Sequence, residues 1–596
     1  MLNQTRQFFK ISAMLGCIFA LAGCLESISP FSQHTDYTIN GIEDDQDTRE
    51  YLQKILKERV AEDIDYEEDS EDFKRAANAR EEIIAGDLVK ALKAKGYYDA
   101  NVEFVDNEEE DLQGSYEIVT GEIYTIASLT IEPETHRKNF DTSLIKAGDP
   151  LDAQTVLKAQ STLFENIQKD KCYFSLDVEH AVILDENTKT AELTYTAKIG
   201  PSATFGPAIF KGQESVKLSY LRKLVTWQEG DCFRQEKIRS LKTKLLETGL
   251  FVRADRELPE TPDENGIVPV TIQLKERVHR SVKAGVSYYT DEGAGITLGW
   301  EHRNFLGSGE KLETELNISQ INQSLDVNFT KPFFIRKDQS LEINGALRQQ
   351  DTDAFEEKAL DFGASVKRQF NKRLSANTGV HLSFSEITDD DGTDTFGLLS
   401  FPNAVTFDNR DNPLDPHKGW QLKAAIEPFY DILGQSDPFT KFEAGARTYL
   451  NLIDDPDLVL ALRANIGSIV GASTANIPAT ERFYAGGGGS IRGFGFQKVG
   501  PSDDDGDPSG GRSLITGSTE LRLKFTDTIG GVAFVDGGSV SENAAVDFDK
   551  LSFGAGVGIR YYTDFGPLRF DVAVPLNQKE NLDQNYQFYI SIGQAF

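Results

Sequence analysis

Methionine and cysteine are nearly missing from this chain: 2 Met and 4 Cys in 596 residues, with 3 Trp and 7 His. With 50 Gly and aromatics at 10%, this is not the composition of an ordinary cytoplasmic enzyme. Positive charge is short as well. The 62 Lys+Arg are outnumbered by 95 Asp+Glu, and a net charge of −33 repels phosphates over most of the surface, which sets aside general nucleic-acid binding. Beyond the N-terminus, no apolar stretch approaches the roughly 20 residues a membrane-crossing helix needs. Apolar content of 39% is too high for a disordered chain, and a mean hydropathy of −0.38 is too low for a helical transporter. What remains is a soluble protein, a membrane β-barrel, or a chain containing both.

Signatures of catalysis are missing too. The serine-hydrolase pattern G-x-S-x-G fails at its last position in Gly471-Ala472-Ser473-Thr474-Ala475, which argues against a fused lipase. No HExxH occurs among the scattered histidines, so a zinc hydrolase is unsupported. Asp389-Asp390-Asp391-Gly392 and Asp503-Asp504-Asp505-Gly506-Asp507 lack EF-hand spacing and its closing Glu, and read as solvated loop tips. The glycine run Gly486–Gly489 satisfies neither GxGxxG nor the P-loop pattern. The chain is therefore expected not to be an enzyme, and to need neither cofactor nor metal.

The N-terminus is informative. Arg6 and Lys10 precede an apolar run from Ile11 to Ala22 that ends in small residues, so residues 1–23 read as a secretory signal. Ala20-Leu21-Ala22 fits a simple cleavage site. Leu21-Ala22-Gly23-Cys24 instead fits a bacterial lipobox, which would leave Cys24 as a lipidated first residue. Two further cysteines, Cys172 and Cys232, lie well inside the chain, where a periplasmic location permits a disulfide. Two buried thiols are the alternative.

Residues from about 36 to 278 mix helical and strand patterns and repeat. Helical segments end at Gly96-Tyr97-Tyr98, Cys172-Tyr173-Phe174 and Gly249-Leu250-Phe251, spaced about 76 residues apart. Gly148-Asp149-Pro150 and Gly230-Asp231-Cys232 each stand before a helix, and an alternating strand closes each unit. Each unit is read as a strand, two helices and two strands, with the Gly before the aromatic pair as a left-handed helix C-cap. From Val278 onward the pattern changes to strand after strand. Leu312, Leu316 and Ile318 alternate with Glu313, Glu315 and Asn317, and Leu521, Leu523 and Phe525 alternate with Arg522 and Lys524. At about 20 residues per strand and turn, residues 279–596 hold about 16 strands. The terminal run places Tyr586, Phe588, Ile590, Ile592 and Phe596 on one parity, with an aromatic last residue, and Tyr589 interrupts the polar parity.

One segment carries the functional signal: Arg482-Phe483-Tyr484-Ala485-Gly486-Gly487-Gly488-Gly489-Ser490-Ile491-Arg492-Gly493-Phe494. It resembles the inward-folded barrel loop of the BamA/TamA superfamily, with Ile491, Arg492, Gly493 and Phe494 as its tip. The resemblance extends to Phe534-Val535-Asp536-Gly537-Gly538, to Glu520, to Asp408-Asn409-Arg410-Asp411-Asn412-Pro413-Leu414 and to Gly566-Pro567-Leu568-Arg569-Phe570-Asp571. The upstream repeats resemble POTRA domains, the periplasmic modules of the same family.

The resemblance implies an α+β array of POTRA-like units at 36–122, 123–202 and 203–278, followed by a transmembrane antiparallel β-barrel at 279–596. It implies an outer-membrane location with the POTRA units in the periplasm. The implied partners are outer-membrane lipid, unfolded outer-membrane or autotransporter clients, and a TamB-like inner-membrane protein; no nucleic acid is among them. The implied function is assembly of outer-membrane proteins, and a count of three modules implies a TamA-like member. Two-partner secretion is the alternative within the superfamily, and a passive porin the alternative outside it.

Physical chemistry supports these expectations. An arginine in a barrel lumen needs paired carboxylates, and Glu520 and Asp536 are the candidates for Arg492. The barrel's only seam joins its first strand, Val282–Tyr289, to its last, Tyr586–Phe596. Val282, Gly285, Val286, Tyr586, Phe588, Gly593 and Phe596 are its expected residues, with glycine weakening the packing there.

Overall fold

The computed structural model describes residues 37–592, except 44, 61–70, 106–113, 291, 390–391, 454–455, 564–566 and 578–584. Cys24, Gly593 and Phe596 lie outside the described residues. Contacts divide the chain into two compact units. One is built from residues 1–206, 229–234 and 259–268, the other from 207–228, 235–258 and 269–596.

The first unit contains two three-stranded sheets, each with a helical layer. In the first, Tyr37–Asn40 runs parallel to the central strand Gly114–Val119, and Asn101–Val105 pairs antiparallel on its other side. Helices Gln46–Val60 and Glu71–Ala94 lie between the outer strands in sequence. Leu52 and Leu56 on one helix, and Ile84, Leu88 and Leu92 on the other, recur every fourth residue and close a core over Ile39, Tyr116 and Ile118. The second sheet repeats the topology. Thr125–Glu132 is parallel to Thr190–Ile199, which pairs antiparallel with Leu176–Asp185. Ala191, Leu193, Tyr195 and Ala197 point inward with a period of two, and Val156, Ala159, Leu163 and Ile167 of the helix Ala153–Asp170 cover them. Asp152 caps that helix by accepting a 2.7 Å hydrogen bond from the Thr155 amide, worth about 1 kcal/mol.

This second unit of the repeat departs from the expected two helices. Only a six-residue 3-10 turn, Glu134–Asn139, stands in the place of the first. After that turn the chain is non-helical up to Pro150 and still supplies Phe140 and Ile145 to the core. The C-cap reading fares differently along the repeat. Gly96 and Gly249 have φ of 100° and 69°, whereas the helix before Cys172 ends in extended Lys171. Cys172 and Cys232 are joined by a disulfide, 60 residues apart in sequence.

In the second unit, a sheet ordered Thr204–Lys211, Ile267–Glu276, Phe251–Glu257 leads into the barrel. The join is built on Glu276. Its carboxylate accepts from the Ser215 hydroxyl at 2.6 Å and from the amides of Glu214, Ser215 and Val216 at 2.8–3.2 Å, with the His279 ring at 3.1 Å. Burial alone would raise its pKa. The hydrogen bonds from Ser215, Val216, Glu214 and His279 outweigh burial and hold Glu276 at about 2. Asn304 of the turn 303–310 reaches Ser215 Oγ at 3.2 Å, and the Lys217 amide donates to the Gly307 carbonyl at 2.7 Å. Tyr220 of the short helix Leu218–Leu224 packs against Phe333 of the turn 333–338, with ring centroids 5.4 Å apart.

The barrel closes from Arg280–Tyr289 to Gln587–Ile592 through antiparallel neighbours in sequence order. Seventeen strand segments make sixteen wall positions. Gly392–Ser400 and Asn403–Asp408 both pair with the strand Leu374–Asp389 before them and with Gly419–Asp431 after them, so they are two halves of one strand. The break falls at Phe401-Pro402, where proline supplies no amide to the ladder. Outward side chains such as Val282, Val286, Ile296, Leu298, Leu347 and Phe362 are exposed and apolar, as a lipid-facing wall requires. No helix among the described residues is long and apolar enough to cross a membrane.

Candidate functional site

Between the strands Leu458–Val470 and Ser513–Lys524 the chain leaves the wall and folds into the lumen. Phe483, Ile491 and Phe494 of this loop pack with Phe355, Phe439 and Val540 of the wall, forming an apolar core inside one end of the barrel. Ile491 and Phe494 are buried, so the apolar residues of the tip point away from water and the glycines bring its backbone close to the wall. Gly493 has φ of 97°, in the left-handed region, and a Cβ there would meet the Val574 carbonyl at 2.8 Å. The facing wall is equally stripped. A Cβ on Gly554 would fall on the Arg492 carbonyl oxygen.

Arg492 is 1% exposed, and three carboxylates surround it. It grips Asp536 as a fork, Nε to Oδ2 at 2.6 Å and Nη2 to Oδ1 at 3.0 Å, and its own amide reaches Oδ2 at 3.1 Å. Nη1 donates to Glu520 at 2.9 Å and to Asp571 at 3.1 Å. The Phe534 ring lies beneath the guanidinium, with its centroid 3.3 Å from Cζ. The carboxylates are shared. Arg522 holds Glu520 at 2.7 Å, while Arg560 and Arg569 hold Asp571 at 2.5 and 2.6 Å. Arg463 donates to the carbonyls of Gly489 and Ser490 at 3.0 and 3.1 Å, fixing the run that leads to the tip. Such a network contributes little net stability over an apolar core, but loss of one member strands buried charge.

The structure thus places both expected partners, Glu520 and Asp536, on Arg492, and adds a third, Asp571. Parity alone shows only that it faces the lumen. On the strand Leu568–Pro575, Leu568 and Phe570 face out, while Arg569 and Asp571 face in. Tyr589 showed only as a break in the polar parity and Phe534 only as part of its motif; the partners of both lie across the lumen.

The seam lies a short way along the wall. The first strand shares ten register partners with the second strand, from Arg280↔His302 to Tyr289↔Gly293. With the last strand it shares two, Tyr288↔Ile590 and Tyr289↔Tyr589. Thr290 adds a side-chain clamp, accepting from the Phe588 amide at 3.1 Å and donating to Gln587 Oε1 at 2.5 Å. Val282, Gly285 and Val286 lie on the first strand where the described last strand offers no register partner. Phe588 lies on the last strand and Tyr586 just before it. Among the described residues, no group of three or more His, Cys, Asp and Glu is arranged to hold a metal.

Comparison with known proteins follows the same division. Residues 304–596 match the Omp85 superfamily domain, and residues 203–277 match the POTRA repeat described as a surface antigen variable number repeat. Over 541 residues the chain is 25% identical to the outer membrane protein assembly factor BamA of Nitratidesulfovibrio vulgaris, covering 84% of this chain and 66% of that one. Over 391 residues it is 22% identical to BamA of Neorickettsia risticii, covering 61% and 51%. The chain spans about half to two thirds of the length of these relatives. The crystal structure of Haemophilus ducreyi BamA lacking POTRA domains 1-3 superposes with a TM-score of 0.66 at 18% identity, covering 79% of this chain and all of that one, which shows a shared fold.

Proposed function

The chain belongs to the BamA/TamA superfamily of POTRA-plus-barrel proteins, and from that premise we propose that it assembles other outer-membrane proteins by strand exchange at its seam. The barrel lies in the outer membrane and the POTRA region in the periplasm. Its relatives are assembly factors, not enzymes.

One observation carries the proposal: the barrel is closed by a seam between its first and last strands, where Tyr288 pairs with Ile590 and Tyr289 with Tyr589. When that closure opens, the first strand presents an edge of backbone donors and acceptors. A client strand satisfies such an edge by the same hydrogen bonds that build a sheet. Clients of this chemistry are unfolded β-barrel chains, autotransporters included, entering from the periplasm and leaving into outer-membrane lipid. The three-stranded sheets that precede the barrel are read as three POTRA units. Their number supports a TamA-like arrangement with a TamB-like inner-membrane partner, which is part of the proposal. The passive-porin reading is disfavoured by the packed apolar loop core, which fills one end of the lumen.

The test is reconstitution. Full-length protein in outer-membrane-lipid vesicles should raise the rate at which an added unfolded barrel protein becomes protease-resistant. Vesicles that show ion conductance but no such acceleration would favour the porin.

A further inference from the structure

The last strand carries one side chain that breaks its own pattern. Tyr589 points into the lumen and is fully buried, whereas its neighbour Ile590 and the preceding Tyr586 are exposed. Its hydroxyl accepts from the Gly493 amide at 3.1 Å and lies 3.5 Å from the Phe494 carbonyl, so it binds the two residues that follow Arg492 in the loop tip. Its ring fits where Gly488 has no side chain, since a Cβ there would sit 2.9 Å from the Tyr589 ring. From the other side, Tyr289 of the first strand approaches with ring centroids 5.9 Å apart, and the same two residues form one of the two register pairs of the seam. Loop tip, last strand and first strand meet on one phenol.

We propose that Tyr589 is a latch that couples the lumen loop to the lateral seam, so that the loop tip and the last strand open and close together. The inference rests on the seam being the working edge, as proposed above, but concerns how that edge is held. The loop tip is anchored by Arg492 to the strands bearing Glu520, Asp536 and Asp571. Through Tyr589 that anchorage reaches the last strand at its seam pair with Tyr289. Tyr589 acts as a positioning residue: it touches no client and transmits the position of the tip to the seam. Coupling of this kind is reciprocal, so loosening either side must loosen the other.

The test is amide hydrogen exchange on full-length protein in lipid nanodiscs, with no client present. Tyr589→Phe keeps the ring and removes only the hydroxyl. Losing one buried hydrogen bond should raise exchange about fivefold at the Gly493 amide and, together with it, at the seam amides of Phe588 and Thr290. The Arg492 amide, held by Asp536, should stay protected. Thr290→Val, which cuts the seam clamp without touching the loop, should raise exchange at Gly493 as well. A structural hydroxyl without coupling would give a rise at Gly493 alone in the first variant and none there in the second, and either result would overturn the latch. Should Tyr589→Phe fail to fold, Gly488→Ala carries the test by displacing the ring, with the same paired rise expected and a rise confined to the loop overturning it. Because no client is used, failure of the latch leaves the assembly reading untouched, and failure of client insertion leaves the latch result standing.

Discussion

The wall that faces Arg492 and the wall at the seam belong to one barrel but are held in opposite ways. At the first, four arginines, Arg492, Arg522, Arg560 and Arg569, share three buried carboxylates, and the loop backbone lies against glycines. At the second, the described residues join the first strand to the last through the pairs Tyr288↔Ile590 and Tyr289↔Tyr589 and a threonine clamp. The proposed function requires the barrel to open there, between its first and last strands. The lesson is one of placement. Rigid, costly-to-break contacts surround the lumen loop, and the seam proposed to open stands beside them.

Removing the anchor should bring the largest loss. Arg492→Ala leaves Glu520, Asp536 and Asp571 short of a buried partner and should cost about 3 kcal/mol or more. Loss of heat-modifiability on gels, or a lowered unfolding midpoint, would register it. Wild-type behaviour together with normal client insertion would break the comparison at its strong side. Asp536→Asn, which keeps the shape and removes one charge, should follow the same course more mildly.

Next in size is the close approach of loop and wall. Gly554→Ala places a methyl group on the Arg492 carbonyl and should destabilise by about 1–3 kcal/mol through overpacking. Chemical denaturation of the barrel in detergent reads this directly.

The join outside the membrane should respond to acid. Glu276 is held at about 2, below its ordinary value of 4.5, so its contribution is fully present above about 4.5. That contribution should be lost progressively as the pH falls from there toward 2. Protease cleavage around residues 214–216 and 276–279 should therefore rise over that window, and in Glu276→Gln it should be raised already at neutral pH.

The smallest effect belongs to the seam itself. Gly285 lies in extended backbone, and an added Cβ would meet nothing closer than Thr297 at 3.8 Å. Gly285→Ala should tighten the first strand by about 0.5–1 kcal/mol, mostly through the unfolded chain, and slow exchange of neighbouring amides slightly.

How much of this was readable in the sequence varied by contact type. Alternation showed strand after strand without telling a barrel from a sandwich; the secretory signal pointed to a membrane barrel, and length at about 20 residues per strand and turn set the count. The loop motif pointed to Arg492, and the family resemblance, with the need of a lumen arginine for carboxylates, pointed to Glu520 and Asp536. Asp571 obeyed the same parity beside Arg569, but only the fold brings its strand within reach of Arg492. The first helix of the middle repeat was expected by analogy with its neighbours, and Glu134–Asn139 forms only a 3-10 turn in its place. Tyr589 was visible as a break in the polar parity, yet its partners lie 95 and 96 residues away in sequence, and no periodicity encodes such a contact. The lipobox reading of Cys24 falls outside the described residues. Mass spectrometry of the mature N-terminus decides it, with an acylated Cys24 expected.

The most direct test of the account locks the seam. Tyr288 and Ile590 are register partners on the lipid-facing side, so Tyr288→Cys combined with Ile590→Cys places two thiols across it. In lipid vesicles, oxidised protein should lose client insertion and regain it on reduction, while the barrel stays folded in both states. Insertion at the same rate in the oxidised and reduced forms would contradict strand exchange at the seam.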